Sequence, residues 1–128
     1  MRILAAGILC LLLAAPAVAA DDADKAALEF VKSLQQLVRD NKRDEIAKLV
    51  DYPLLVDGEP SIADAAAFVR EYDAVMPPSV RECLRDHNTG EPMSQVKAAY
   101  MVGAGCIWFE PDEANAMTIF AVNTKSDQ

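Results

Sequence analysis

One histidine, one tryptophan, five glycines and three cysteines occur in 128 residues. A lone His87 in a polar stretch is poor material for a metal centre, which draws on several His, Cys or carboxylate ligands. Basic residues are scarce as well: 12 Lys and Arg stand against 20 Asp and Glu, a formal net charge of −8. That balance disfavours nucleic acid, whose affinity comes from phosphate neutralisation by Lys and Arg. It disfavours an anionic membrane surface for the same reason. No internal repeat, low-complexity tract or linker divides the chain. A single domain is expected, burying roughly two-thirds of its unfolded surface.

What is present begins with a leader. Met1-Arg2 supplies positive charge, Ile3 to Ala15 is a small-and-apolar run, Pro16 breaks it, and Ala17-Val18-Ala19-Ala20 offers small residues. This is the three-part pattern of a secretory signal, with cleavage expected after Ala20 or Ala19. A retained anchor would need about 20 apolar residues, and Pro16 with the Ala-x-Ala pattern argues against one. Lipidation at Cys10 is disfavoured by the bulky Leu9 before it. The expectation is therefore a signal peptide over residues 1–20, one domain over 21–128, no stable membrane anchor after cleavage, and a periplasmic or secreted location.

Cleavage removes Arg2 and no acid, leaving 20 acidic and 11 basic residues and a net charge of −9. Such a surface suits a basic protein partner, or solubility alone. Cys83 and Cys106 survive processing. An even count in an oxidising compartment suggests a disulfide, and two separately buried thiols remain the alternative.

Hydrophobic periodicity sets out the elements. Ala27, Phe30, Val31, Leu34, Leu37 and Val38 form one stripe of a first helix starting near Ala23 or Asp24. Asp21, Asp22 and Asp24 suit its N-terminus. A short second helix from about Asp44 carries Ile46, Leu49 and Val50, and Pro53 is expected to end it. Leu54-Leu55-Val56 reads as a strand and Asp57-Gly58-Glu59-Pro60 as a turn. A third helix is expected over Ala63–Val75, with a stripe of Ala65, Phe68, Val69, Tyr72, Val75 and Met76. Ser79 and Glu82 have capping-box spacing, opening a fourth helix with Val80, Cys83 and Leu84. Ser94–Val102, Cys106–Phe109 and Met117–Val122 read as three strands of an antiparallel meander. The fold class expected is α+β, three to four N-terminal helices packed on a C-terminal antiparallel curved sheet.

The segments IAKLVDYPLLV, FVREYDAVM, MVGAGCIWF and IFAVN resemble small exported bacterial proteins of the nuclear transport factor 2-like superfamily. That fold is a cone-like α+β barrel shared with ketosteroid isomerase and SnoaL-like cyclases. The resemblance spans about Ala27 to Asn123. It implies a curved sheet closed on one side by helices, often around a pocket. It implies no activity, because the fold hosts enzymes and non-enzymes alike.

Residues able to carry chemistry are few. Gly103-Ala104-Gly105 lacks the third glycine of a dinucleotide fingerprint and reads as a turn or bulge. Asp112, Glu113 and Asn115 lack the twelve-residue calcium pattern and read as a solvated turn. Asp51-Tyr52 and Tyr72-Asp73 each pair an acid with a phenol. In a cone-shaped pocket, Tyr52, Tyr72, Asp73 and Trp108 would be the residues to line it, with a buried Asp base and a Tyr donor. The competing expectation leaves both acids in water and Trp108 in the core. No catalytic residue, metal or cofactor is assigned. The leading expectation is an exported binding protein without catalytic activity, of the inhibitor or immunity type, for a basic protein partner. The alternative is an isomerase- or cyclase-like enzyme, or a carrier, for a small apolar ligand.

Overall fold

A computed structural model describes residues 19–125, so residues 1–18 of the expected 1–20 leader, and residues 126–128, lie outside the described residues. The element order is α1 (Ala19–Arg39), α2 (Arg43–Ala47), β1 (Val50–Val56), β2 (Glu59–Ile62), α3 (Ala65–Arg70), α4 (Tyr72–Val75), α5 (Pro78–Asp86), β3 (Ser94–Val96), β4 (Ala99–Val102), β5 (Ile107–Pro111) and β6 (Met117–Val122). The protein is a single α+β domain. Helix α1 starts at Ala19, so the expected cleavage point falls in its first turn. No described helix is long and apolar enough to cross a membrane.

The sheet has six strands in the order β2-β1-β6-β5-β4-β3, and it is open at both edges. This corrects the three-strand meander. Strand β6 inserts between β5 and β1 and runs parallel to β1, so the sheet is mixed. Two short strands escape the sequence reading for identifiable reasons. Ser94 to Val102 is a hairpin whose turn holds Lys97 at φ 56°, a residue that carries no turn signature. Asp57 at φ 53° and Gly58 at φ 87° complete a two-residue turn by themselves, so Glu59 and Pro60 already belong to β2. Pro60 is tolerated because β2 is an edge strand.

Three further boundaries move. Helix α2 ends at Ala47 and Pro53 sits inside β1, after a cis Tyr52–Pro53 bond. The expected third helix divides at Glu71 into α3 and α4. It opens on Asp64, whose carboxylate accepts from Ala67 N–H at 2.9 Å. Helix α5 takes Pro78 as its first residue, since proline's fixed φ suits that position. Ser79 therefore lies inside the helix and forms no capping box; its hydroxyl donates instead to the Thr124 carbonyl at 3.4 Å.

The core lies between the helices and one face of the sheet. Ala27, Val31 and Leu34 of α1 are fully buried, as are Leu54, Val102, Ile107 and Phe109 from the strands. Phe109 joins the two layers, with its ring centroid 4.7 Å from Phe30 on α1 and 5.4 Å from Tyr100 on β4. No charged side chain is buried among the described residues.

The expected disulfide is present. Cys83 on α5 is bonded to Cys106, just before β5, with Cα atoms 6.6 Å apart. It fits an oxidising, extracytoplasmic setting. Gly103 is forced by this clamp: its φ is 56°, and a Cβ there would lie 2.6 Å from the Cys83 sulfur.

Candidate functional site

Strand registers define which side chains share the second face of the sheet. Reading across the strands, Met101 lies opposite Trp108, Trp108 opposite Ala121, and Ala121 opposite Leu55. A bulge in β6 sets Phe120 beside Ala121, so both oppose Trp108. Alternation along each strand puts these residues away from the helices, since Ile107 and Phe109 on either side of Trp108 are fully buried against them. Leu55, Met101, Trp108, Phe120 and Ala121 are each partly exposed, and none packs against the core. Val96, whose partner Ala99 shares a face with Met101, extends the belt toward the β3 edge and is 51% exposed.

An acidic rim bounds this belt at one end. Glu110 follows Trp108 by two residues and so shares its face. With Asp51, Pro111, Asp112, Glu113 and Ala114 it lines an open depression of about 680 Å³. The Asp112 carboxylate shapes the β5–β6 turn by accepting from Ala114 N–H at 2.8 Å and Ala116 N–H at 3.0 Å. At the other end of the belt, Trp108 shares a shallow depression with Asp57, Ala104, Gly105, Asn123 and Lys125. Asn123 donates through its amide to Gly105 C=O at 2.8 Å. Asp57 accepts from Thr124 N–H at 2.8 Å and Thr124 hydroxyl at 2.6 Å, and these bonds hold its carboxyl below the usual carboxylate range.

The described arginines, Arg39, Arg43, Arg70, Arg81 and Arg85, all sit on helices. The depression at the sheet end is lined by carboxylates and apolar residues with no basic side chain among them.

The four residues expected to line one pocket are distributed over both sides. Tyr72 is 1% exposed in the helix layer, edge-on to Phe68 and under the Arg43 guanidinium, which lies 4.4 Å from its ring centroid. Burial raises its phenol pKa, with the charges of Arg81 and Arg43 opposing. Asp73 is exposed and pairs with Arg43 at 3.3 Å. Tyr52 packs against the core and donates to the Ala47 carbonyl at 2.7 Å, closing the α2–β1 corner. Burial, followed by the Asp64 charge, pushes its pKa up to about 12. Trp108 alone lies on the open face. Sequence reasoning missed Leu55, Met101, Phe120 and Glu110; their grouping depends on register across four strands, which no local pattern encodes.

His87 has a structural role. Its Nδ1 accepts from Gly103 N–H at 2.9 Å, tying the end of α5 to the β4–β5 loop beside the disulfide. Its Nε2 is buried without a partner among the described residues. Accepting at Nδ1 requires a neutral ring with its proton on Nε2. Burial pushes the pKa below its usual 6.5, while Glu91 pulls the other way. A depressed folded-state value means the unfolded chain takes up the proton first. The melting temperature should therefore fall as pH drops from about 7 to about 5, and His87→Gln should flatten that part of the profile. An unchanged slope in thermal melts of the variant would refute this role.

Among the described residues, no three His, Cys, Asp or Glu side chains gather closely enough to hold a metal ion. No family model, curated protein or solved structure matches the chain.

Proposed function

We propose that this is an extracytoplasmic, non-catalytic binding protein that docks a basic protein partner on the open face of its sheet. The observation that carries the reading is the row Leu55–Ala121–Trp108–Met101, partly exposed and turned away from the helices, with a carboxylate rim at one end. Protein interfaces have this anatomy: an apolar centre enriched in Trp and Met inside a polar rim. Contiguous exposed apolar patches on a soluble domain mark interaction surfaces. The rim's sign selects a cationic partner and speeds its approach.

The disulfide supports a periplasmic or secreted location for this activity, because such bonds persist in oxidising compartments. An inhibitor or immunity role would follow if the partner is an enzyme whose basic cleft the rim covers. The nuclear transport factor 2-like resemblance belongs to this proposal too. The helices packed on one face of the sheet support it.

The test is capture from a cell-envelope fraction using the full chain, with cross-linking before elution. A basic protein should be retained at low salt and released at about 1 M salt, where the Debye length is about 3 Å. Its cross-links should map to the β4–β6 strands and the Asp112 turn. Retention indifferent to salt, or cross-links confined to α1 and α5, would overturn the reading.

A further inference from the structure

Both edges of the sheet carry unpaired backbone groups, and they differ in how they are protected. An edge strand is a template for a further strand, which proteins block with proline, charge or bulges. Strand β2 has all three: Pro60 lacks an N–H, Glu59 is charged, and the β1–β2 register shifts between Leu54 and Leu55. Strand β3, Ser94-Gln95-Val96, has none of them. All of its residues are exposed, and Val96 is the one exposed large hydrophobic among the described residues.

The hairpin sets which groups face outward. Lys97 and Ala98 form a two-residue turn, so Val96 and Ala99 close the ladder as a hydrogen-bonded pair. Alternation makes Ser94 and Met101 the next such pair, and leaves the N–H and C=O of Gln95 pointing away from β4. Side chains alternate as well. Gln95 lies opposite Tyr100, which is buried against Phe109, so Gln95 is on the helix side. Ser94 and Val96 are on the open face with Met101. Asp24 of α1 stands near the helix side of this edge. After burial, its charge is what raises the Tyr100 phenol pKa, with a Gln95 hydrogen bond opposing.

These positions define an incoming antiparallel strand. Its residue opposite Gln95 exchanges two backbone hydrogen bonds with Gln95 and turns its side chain to the helix side, toward Asp24, where a cation fits. The next residue, opposite Val96, turns to the open face and continues the apolar belt of Met101 and Trp108. A second copy of β3 fits less well, because its own Gln95 would stand opposite Gln95 and bring two chains of like net charge together. We propose that the basic partner adds an extended segment to the β3 edge, with a Lys or Arg opposite Gln95 and an apolar residue opposite Val96. In this mode of recognition main-chain bonds give affinity and alternate side chains give specificity. That the partner is a basic protein rests on the docking reading above; the geometry of the edge does not.

The probe is the peptide acetyl-Val-Lys-Val-Lys-Val-amide, titrated into the isotope-labelled full chain and followed by amide NMR shifts. Saturable binding with a dissociation constant on the order of 1 mM is expected, since one edge residue supplies the backbone pair. The Gln95 amide should move most and gain protection from solvent exchange. The same peptide N-methylated at both lysine backbone nitrogens should bind at least about tenfold more weakly, as should acetyl-Val-Glu-Val-Glu-Val-amide. Two substitutions should weaken binding of the lysine peptide by a similar factor: Val96→Lys, at an exposed position, and Gln95→Pro, which removes an N–H that β4 does not use. No saturable shift, or equal binding of the N-methylated peptide, would overturn the inference. Shifts centred on Trp108 with β3 unmoved would also overturn it, while leaving docking on the sheet face standing. The peptide result does not depend on capture from the envelope fraction, so the two readings fail separately.

Discussion

Replacing Trp108 by alanine should weaken binding of the basic partner by about thirtyfold or more, equivalent to about 2 kcal/mol. Trp108 stands at the centre of the belt, with Met101 on one flank and Phe120 and Ala121 on the other. Buried central aromatics dominate interface energies, because their large area loses water while the surrounding rim excludes it. The fold should tolerate the change. Trp108 is partly exposed and does not pack against the core, so the loss is limited to cross-strand contacts worth about 1 kcal/mol. Affinity measured by calorimetry, beside a thermal melt of the same sample, separates the two effects. An affinity within about twofold of the unsubstituted protein would show that the centre of the interface lies elsewhere.

Removing the disulfide is expected to cost about 3 kcal/mol of stability in the chain-entropy model, since the bond closes a loop with a sequence separation of 23. For a domain of this size that corresponds to a fall in melting temperature of about 10–20 °C. The paired variant Cys83→Ala/Cys106→Ala avoids an unpaired thiol and should match the reduced protein. The damage should concentrate where the bond acts. Helix α5 would remain tied to α1 through Gln35 and to the Gly103 loop through His87, while Cys106 at the start of β5 would lose its covalent link to the helix. Faster amide exchange in α5 and residues 102–106 would record this. A melting temperature unchanged by reductant would contradict it.

How much of this was legible in the sequence depends on the range of the determining interactions. The stripe of α1 is local, and Ala27, Val31 and Leu34 are buried as their spacing implies. The disulfide followed from compartment and count. The sheet was less readable. Ile107-Trp108-Phe109 is an unbroken apolar run, so alternation could not tell which residue faces outward. The answer depends on α1 covering one side, through Phe30 against Phe109. The parallel β1–β6 pair joins segments at opposite ends of the domain and has no local signature. The candidate pocket of Tyr52, Tyr72, Asp73 and Trp108 rested on residue type alone. Tyr72 and Asp73 do share α4, but Trp108 sits across the sheet from them.

The chain's single tryptophan is a built-in reporter of the central claim, because Trp108 lies in the middle of the proposed docking face. Its fluorescence should be read in the free protein and in the complex with the captured partner, provided that partner's own tryptophans are replaced or spectrally silent. Docking on the sheet should shift the emission to the blue and shield it from acrylamide quenching. Unaltered emission and quenching at saturating partner would mean that the open face stays wet, and that the protein does not bind there.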